Sequence, residues 1–399
     1  HLDQPRVLYC GFDPTADSLH LGHLVPLLVL KRFQEAGHTP IALVGGATGL
    51  IGDPSFKAAE RKLNTPDVIS GWADRIKGQV SQFIDFDCGE NSALIANNLD
   101  WTAEMSALEF LRDVGKHFSV NNMINKESVK QRLDREGSGI SFTEFSYALL
   151  QGMDFSELNR RHSCTVQIGG SDQWGNIVGG LDLIRRVVSG SGHALTILLL
   201  AKADGTKFGK TAGGAIWLDP EMTSPYAFFQ YWLNTDDKDV INFLKVFSFK
   251  SREEIEALEE SHSENPGARE AHRALARELT SLVHSAEICD RVEAAARALF
   301  GQGELSELDE ATLTAALAEL PRTTVKSGEP IPTWVDLLAA TGVVDSKSAA
   351  RRIVKEGGAY LNNAKISGED FAPSKSDFLC GKYAVLRKGK RDLAAVELI

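Results

Sequence analysis

The chain predicts an α/β fold built on a parallel sheet, and two features carry that expectation. Through its first half, apolar runs with strand character alternate with helical patterns, and each run ends in a polar loop rich in glycine. Strands joined through helices form parallel sheets, and such sheets bind ligands beyond the carboxyl ends of their strands.

Residues 7–12 read as a buried strand ending in Asp13-Pro14. Residues 22–36 form a helical pattern, with Gly37 where glycine stops a helix. Pro26 has no N–H to give and fits that helix only near its start. Residues 41–44 make a second strand, ending in Gly45-Gly46-Ala47-Thr48-Gly49. Residues 165–168 make a third, followed by Gly169-Gly170, and 194–200 a fourth. The long stretch between the second and third strands is rich in helix formers and reads as a helical insertion, at about 88–160, in a domain spanning 1–224. Residues 225–320 carry no strand pattern; 251–260 and 268–299 read as helices of a second, helical domain. Three prolines and small polar residues make 321–333 a linker. The last 66 residues, 334–399, carry eleven Lys/Arg against eight Asp/Glu, in a chain whose net charge is −11. A basic appendage on an acidic body suits a polyanionic partner, although the same charges suit a merely solvated surface.

At roughly 150 residues per domain, 399 residues suggest two or three domains. Apolar residues at 43% and charged residues at 24% are ordinary globular composition and argue against a wholly disordered chain. The longest apolar stretches, 24–30 and 194–201, fall well short of the roughly 20 residues of a spanning helix, which excludes an integral membrane protein. No signal-peptide pattern opens the chain, although His1 is not a natural start and a segment ahead of it stays open. The five cysteines are too widely spaced for a Cys-x-x-Cys pair, so free thiols in a reducing compartment are expected, with no cysteine-rich zinc site. The acidic total argues against non-specific nucleic-acid binding by the whole surface.

Two segments carry the chemistry. His20-Leu21-Gly22-His23 follows the first strand and opens a helix. Its imidazoles share a helix face, Gly22 admits a ligand close to the backbone, and a helix N-terminus favours phosphate. A metal-ligating pair and two packed structural histidines are the alternatives. Lys207-Phe208-Gly209-Lys210-Thr211 lies between Asp204-Gly205 and Gly213-Gly214. Two lysines and a hydroxyl on a glycine-flanked loop suit a clamp for a polyphosphate whose charge grows in the transition state. Taken alone, such a loop reads more readily as a solvated turn.

Together, in this order, the two segments resemble the HIGH and KMSKS signatures of class I aminoacyl-tRNA synthetases. Tyr9-Cys10-Gly11-Phe12-Asp13-Pro14-Thr15, the run 45–49 with Gly52-Asp53-Pro54, Gln151-Gly152-Met153-Asp154-Phe155, and residues 167–176 resemble bacterial-type tyrosyl-tRNA synthetases, across nearly the whole chain. The tail is similar to their S4-like RNA-binding domain. The resemblance implies a Rossmann-like catalytic domain with a helical insertion, a helical anticodon-side domain, and a small C-terminal α+β S4-like domain. It also implies a longer segment ahead of the strand of Tyr9.

By the same resemblance, Tyr9 and Asp154 hold the substrate hydroxyl, while Asp53, Tyr147 and Gln151 meet its ammonium. Tyr147, Gln151 and Asp154 are spaced to share one helix face. Cys10 and Asp172 are expected at the ribose, Asp13 and Gln173 near the α-phosphate and carboxylate, and Gly11, Gly22 and Gly170 as backbone close to the nucleotide. His20, Thr15, Lys207, Lys210 and Thr211 are expected around the pyrophosphate, and His23 near the ribose. The substrates implied are L-tyrosine, ATP with Mg2+, and tRNA(Tyr); no dedicated protein cage for metal is expected. The carboxylate of tyrosine, ionised at neutral pH, attacks the α-phosphate, so no protein nucleophile is needed. A homodimer and a cytoplasmic location, bacterial or in an organelle matrix, are also implied.

Arg185 and Arg186, with Lys126, Lys130, Arg132 and Arg135, are candidate contacts for the tRNA acceptor arm. In the tail, Lys347, Arg351 and Lys355 recur at four-residue steps with Arg352 beside them, giving a basic stripe that suits structured RNA. Rival readings are the tryptophan enzyme or another HIGH-type nucleotidyl transferase, a catalytically idle RNA-binding relative, and a metallohydrolase using the histidine pair. A carboxylate and a tyrosine at 154 and 9 favour a phenol over an indole, and intact His20, His23, Lys207 and Lys210 argue against an idle scaffold.

Overall fold

In the computed structural model, β1 (Val7–Phe12) pairs in parallel with β2 (Thr39–Val44) on one side and β4 (Cys164–Gly170) on the other. β3 (Leu94–Asn97) extends the sheet beyond β2 and β5 (His193–Ile197) beyond β4, both in parallel. The order β3-β2-β1-β4-β5 is Rossmann-like: the chain leaves β1 in one direction and resumes at β4 in the other, which opens a crevice beyond the carboxyl ends of those two strands. The structure describes the 399 residues apart from 55–62, 135–138, 207, 212–213, 319, 367, 369–370 and 390–391, with the side chains of 128, 131 and 211 also outside the description.

Burial explains the strands. Leu8, Tyr9 and Phe12 are at most 1% exposed, so both faces of β1 are covered, as a central parallel strand requires. α1 (Leu21–Glu35) follows β1, and α2 (Pro66–Val80) precedes β3. α3 (Glu127–Leu133) and α4 (Phe142–His162) precede β4, and α5 (Trp174–Leu183) follows it. Leu149, Leu150, Met153, Phe155 and Leu158 of α4 pack with Tyr9, Ile41, Leu43 and Trp101 in one core.

Two expectations are corrected here. The segment 88–160 is not wholly an insertion, because β3 within it is a strand of the main sheet. Pro26 stands in the second turn of α1, among its early turns as expected, and the turn omits one hydrogen bond, to the carbonyl of Gly22. Arg132 is no surface phosphate contact: its guanidinium is buried against Glu144 of α4 at 2.9 Å. Arg135 lies outside the described residues.

The chain folds as two compact units, His1–Met222 and Thr223–Ile399. The second begins with six helices, α6 (Pro225–Leu233), α7 (Val240–Phe247), α8 (Arg252–Glu264), α9 (Glu270–His284), α10 (Ala286–Leu299) and α11 (Glu310–Leu317). The helical run expected at 268–299 breaks at Ser285, whose φ of +107° ends α9 and whose hydroxyl accepts from the Ile288 N–H to start α10. A five-stranded sheet of order β10-β9-β11-β12-β8 follows. Its strands are β8 (Arg322–Val325), β9 (Ala359–Leu361), β10 (Ala364–Lys365), β11 (Tyr383–Lys388) and β12 (Asp392–Leu398). The expected linker is therefore corrected in its first part, since β8 pairs in parallel with β12. α12 (Trp334–Ala340) and α13 (Lys347–Lys355) cover this sheet around a fully buried Trp334. No helix among the described residues is long and apolar enough to cross a membrane.

The Arg132–Glu144 pair sets a stability test. Removing one partner leaves a buried charge alone, so Glu144→Ala should cost about 3–5 kcal/mol in urea unfolding, while the double variant Arg132→Met/Glu144→Leu should cost much less. Equal losses in the two variants would remove the burial argument.

Candidate active site

The loops after β1 and β4 open onto a cavity of about 710 Å³. Its lining brings together Tyr9, Cys10, Gly11, Asp13, Thr15, His20, Gly22, His23, Asp53, Tyr147, Gln151, Asp154, Gly170, Asp172 and Gln173. These residues come from β1, the turn into α1, the loop after β2, one side of α4, and the end of β4.

At the inner end, Asp154 is 2% exposed and is held by neutral donors. Asn98 Nδ2 donates to its Oδ2 at 2.9 Å and Trp101 Nε1 to its Oδ1 at 2.9 Å. Burial raises its pKa to about 7; the two donors pull it down, and Asp13 and Glu157 push it up. Tyr9 lies against Phe155 with ring centroids 5.3 Å apart, and its buried hydroxyl has no hydrogen-bond partner among the described residues. Burial, then the charge of Asp154, raises the Tyr9 phenol well above its ordinary range, so it stays a hydroxyl. Burial likewise pushes the Cys10 thiol up to about 12, which leaves it an inert, unionised lining group.

A second carboxylate organises the middle. Thr48 Oγ1 donates to Asp13 Oδ1 at 2.6 Å and Tyr147 OH donates to Asp13 Oδ2 at 2.8 Å. Asn98 Nδ2 also donates to Thr48 Oγ1 at 2.9 Å, and the Ala47 N–H donates to Asn98 Oδ1 at 2.7 Å, so Asn98 joins both carboxylates to the loop after β2. On the other side, Gln173 Nε2 donates to Asp53 at 2.9 Å and to Asp172 at 3.2 Å. Asn176 Nδ2 reaches Gln173 Oε1 at 3.4 Å, and Lys126 Nζ donates to Asn176 Oδ1 at 3.2 Å. Burial lowers the Lys126 pKa to about 8 against the pull of Asp53. Gln151 Oε1 is buried without a partner among the described residues.

The mouth is built from the two signature loops, which share backbone hydrogen bonds. His20 caps α1: its Nδ1 accepts from the Gly22 N–H at 3.0 Å, and the His20 N–H donates to His23 Nδ1 at 3.2 Å. The rings stack with centroids 3.9 Å apart. A Cβ on Gly22 would stand 2.9 Å from His20 Cε1, so a side chain there would displace the ring. The Leu21 N–H donates to the Ile216 carbonyl and the Ile216 N–H to the Gly209 carbonyl, at 2.8 and 3.1 Å. Gly209, at φ +75°, passes so close that a Cβ would lie 3.3 Å from Leu21 Cβ. Lys210 is exposed on β6 (Lys210–Thr211), paired with β7 (Gly214–Ala215). Burial, and then the nearby charge of Lys210, lower the His20 pKa, so the imidazole is neutral. Lys207 and the side chain of Thr211 lie outside the described residues.

The sequence did not single out Asn98, Trp101, Thr48 or Asn176. Asn98 directly follows β3, so recognising that strand would have placed it at the sheet's carboxyl edge. Of the candidate RNA contacts, Arg185 pairs with Asp182 at 2.9 Å and Arg186 donates to the His117 carbonyl at 3.2 Å. On α13, Lys347, Arg351, Arg352 and Lys355 are all exposed, with Lys347 paired to Asp336 at 2.6 Å.

Residues 2–301 match the family described as tRNA synthetases class I (W and Y), and residues 312–396 match the C-terminal domain of tyrosine–tRNA ligases. The chain is 60% identical over 397 residues to a tyrosine–tRNA ligase of Streptomyces coelicolor, covering 99% of this chain and 93% of that one. It is 57% identical over 396 residues to the corresponding ligase of Corynebacterium glutamicum, covering 99% and 93%. Among solved structures it is similar to a C-terminally truncated mitochondrial tyrosyl-tRNA synthetase of Aspergillus nidulans, with a TM-score of 0.64 and 30% identity, over 75% of this chain and 87% of that one. The chain belongs to the bacterial-type tyrosyl-tRNA synthetases of class I.

Proposed function

We propose a division of labour among the cavity's residues for the family's reaction. As a tyrosine–tRNA ligase, the chain activates L-tyrosine with ATP to tyrosyl-adenylate and pyrophosphate, then transfers tyrosine to the 3′ end of tRNA(Tyr). The observation that carries the substrate assignment is the inner end of the cavity: a buried carboxylate on Asp154 beside the partnerless hydroxyl of Tyr9. A phenol can donate to the first and accept from the second. Phenylalanine and tryptophan would leave one or both unmatched, which costs selectivity in binding.

In this scheme Tyr147, Gln151 and Asp53 receive the substrate ammonium, and Gln151 Oε1 is the buried acceptor with room for it. Gln173 and Asp13 flank the α-phosphate and carboxylate; Asp172 and Cys10 meet the ribose, with Gly11, Gly22 and Gly170 as close backbone and His23 beneath. Thr15, His20, Lys207, Lys210 and Thr211 surround the pyrophosphate. The carboxylate attacks phosphorus in line and pyrophosphate leaves; the protein contributes alignment and charge. Lysines that engage late favour the transition state over bound ATP. Mg2+ enters with ATP as part of that substrate.

For tRNA, the exposed basic residues of α13 meet backbone phosphates, and Arg185 and Arg186 meet the acceptor arm. Large apolar side chains stand exposed through 108–142, among them Leu108 at 79% and Phe142 at 75%, which supports a homodimer. The similar curated chains are bacterial, which supports the bacterial cytoplasm as the place of action.

Amino-acid-dependent exchange of pyrophosphate into ATP, run with all twenty amino acids, tests the substrate. Tyrosine alone should support exchange; exchange with tryptophan and not tyrosine would reject the assignment. Tyrosine affinity should fall below pH 7, about tenfold per pH unit, as Asp154 takes up a proton. Asp154→Asn should flatten that profile and weaken tyrosine binding about 10–100-fold. The same raised pKa makes the empty fold lose stability as pH rises from the unfolded value toward about 7, since the folded state holds the proton more tightly. Lys210→Ala should slow adenylate formation about 10²–10³-fold in stopped flow with little change in tyrosine affinity; mainly weakened tyrosine binding would count against its role. Replacing Arg351 and Lys355 by Gln should flatten the salt dependence of tRNA binding by about one to two units of slope; an unchanged slope would remove α13 from the interface.

A further inference from the structure

The second unit holds a cluster with no part in the chemistry above. Asp237, in the turn between α6 and α7, His262 on α8 and His272 on α9 each offer a ligand atom, and the three atoms lie within 4.8 Å of one another. His272 Nε2 stands 3.2 Å from Asp237 Oδ1 and 3.1 Å from the Thr235 carbonyl. His262 Nε2 stands 3.1 Å from the Asp237 carbonyl. The Nδ1 atoms of His262 and His272 are buried and have no hydrogen-bond partner among the described residues. The His272 side chain is 0% exposed, while that of Asp237 is 56% exposed.

We infer that Asp237, His262 and His272 form a binding site for one divalent transition-metal ion, with Zn2+ the natural occupant. Two imidazoles and one carboxylate are a borderline nitrogen–oxygen set, which suits zinc and its neighbours and does not suit Mg2+ or Ca2+. Ligands at about 2.1 Å around a tetrahedral ion stand about 3.4 Å apart. The observed 3.2 Å between His272 and Asp237 is already at that spacing. Closing the remaining separation needs a side-chain adjustment at the half-buried His262 and no backbone rearrangement. The exposed Asp237 gives the ion a route in from solvent, and water completes the fourth position. Such an ion ties the turn after α6 to α8 and α9.

The test uses full-length protein freed of metal by a chelating resin and titrated with ZnCl2 against a chromophoric chelator. One equivalent should bind to the wild type that Asp237→Asn and His262→Gln each bind at least tenfold more weakly. The same equivalent should raise the melting temperature of the wild type and of neither variant. Cobalt should give the wild type a visible tetrahedral absorption that both variants lack. Both variants should retain tyrosine-dependent pyrophosphate exchange, which separates loss of the site from loss of the fold or of the catalytic centre. Equal zinc affinity in wild type and both variants, or no zinc uptake by the wild type, overturns the proposal. Equal affinity would instead place the ion elsewhere, such as at His20 and His23.

Discussion

A carboxylate sealed from water without a cation beside it is the constraint around which the first unit is arranged. Asp154 sits on a helix whose Leu149, Leu150, Met153, Phe155 and Leu158 belong to the core, so much of its environment is apolar. An arginine partner would have held it ionised and filled the space next to it. Asn98 and Trp101 instead supply two fixed N–H groups from the far side and leave the cavity side open. Neutral donors offset part of the desolvation and no more, which is why the pKa settles near 7. The carboxyl thereby keeps acceptor capacity on the side that lines the cavity.

That arrangement needs the sheet. Asn98 reaches Asp154 because β3 ends where it does, and β3 ends there because it pairs with β2 from Leu94 to Asn97. The same asparagine accepts from Ala47 in the loop after β2 and donates to Thr48, which holds Asp13 from β1. Three consecutive strand ends are thus tied into one polar network. A shift of register in any of them would part a carboxylate from a hydrogen-bond partner. The sheet's order, with β1 at its centre and β4 beginning the other half, places the remaining wall of the cavity.

Legibility in the sequence followed the strength of local signals. β1 reads off directly because six residues of strand character are stopped by Asp13-Pro14, and its bounds agree residue for residue. β3 has only four residues amid strong helix formers, and pairing, not propensity, makes it a strand. Missing it hid Asn98 and Trp101, since neither has a pattern of its own. β8 hid for the opposite reason: Arg322-Thr323-Thr324-Val325 has β-branched character, but prolines on both sides of it read as linker. Burial reversed the sense of Arg132, because a charge on a helix reads as solvated until its partner, twelve residues on, is known. The cavity residues themselves were legible through their resemblance to a family, whose motifs compress a three-dimensional arrangement into short runs.

The mouth of the cavity makes the complementary electrostatic case. His20 is anchored to the helix start by its own Nδ1, and the strand carrying Lys210 is anchored to the same turn through Ile216 and Gly209. The two elements cannot separate without breaking backbone hydrogen bonds, so an imidazole and an ammonium are held as neighbours. Without an anion between them, the protein relieves the repulsion by keeping the imidazole neutral, in the direction burial already favours. A neutral His20 still offers an N–H, and the lysine stays charged and exposed at the rim. The inner carboxylate faces the cavity without a cation beside it, while the charged lysine stays at the exposed rim.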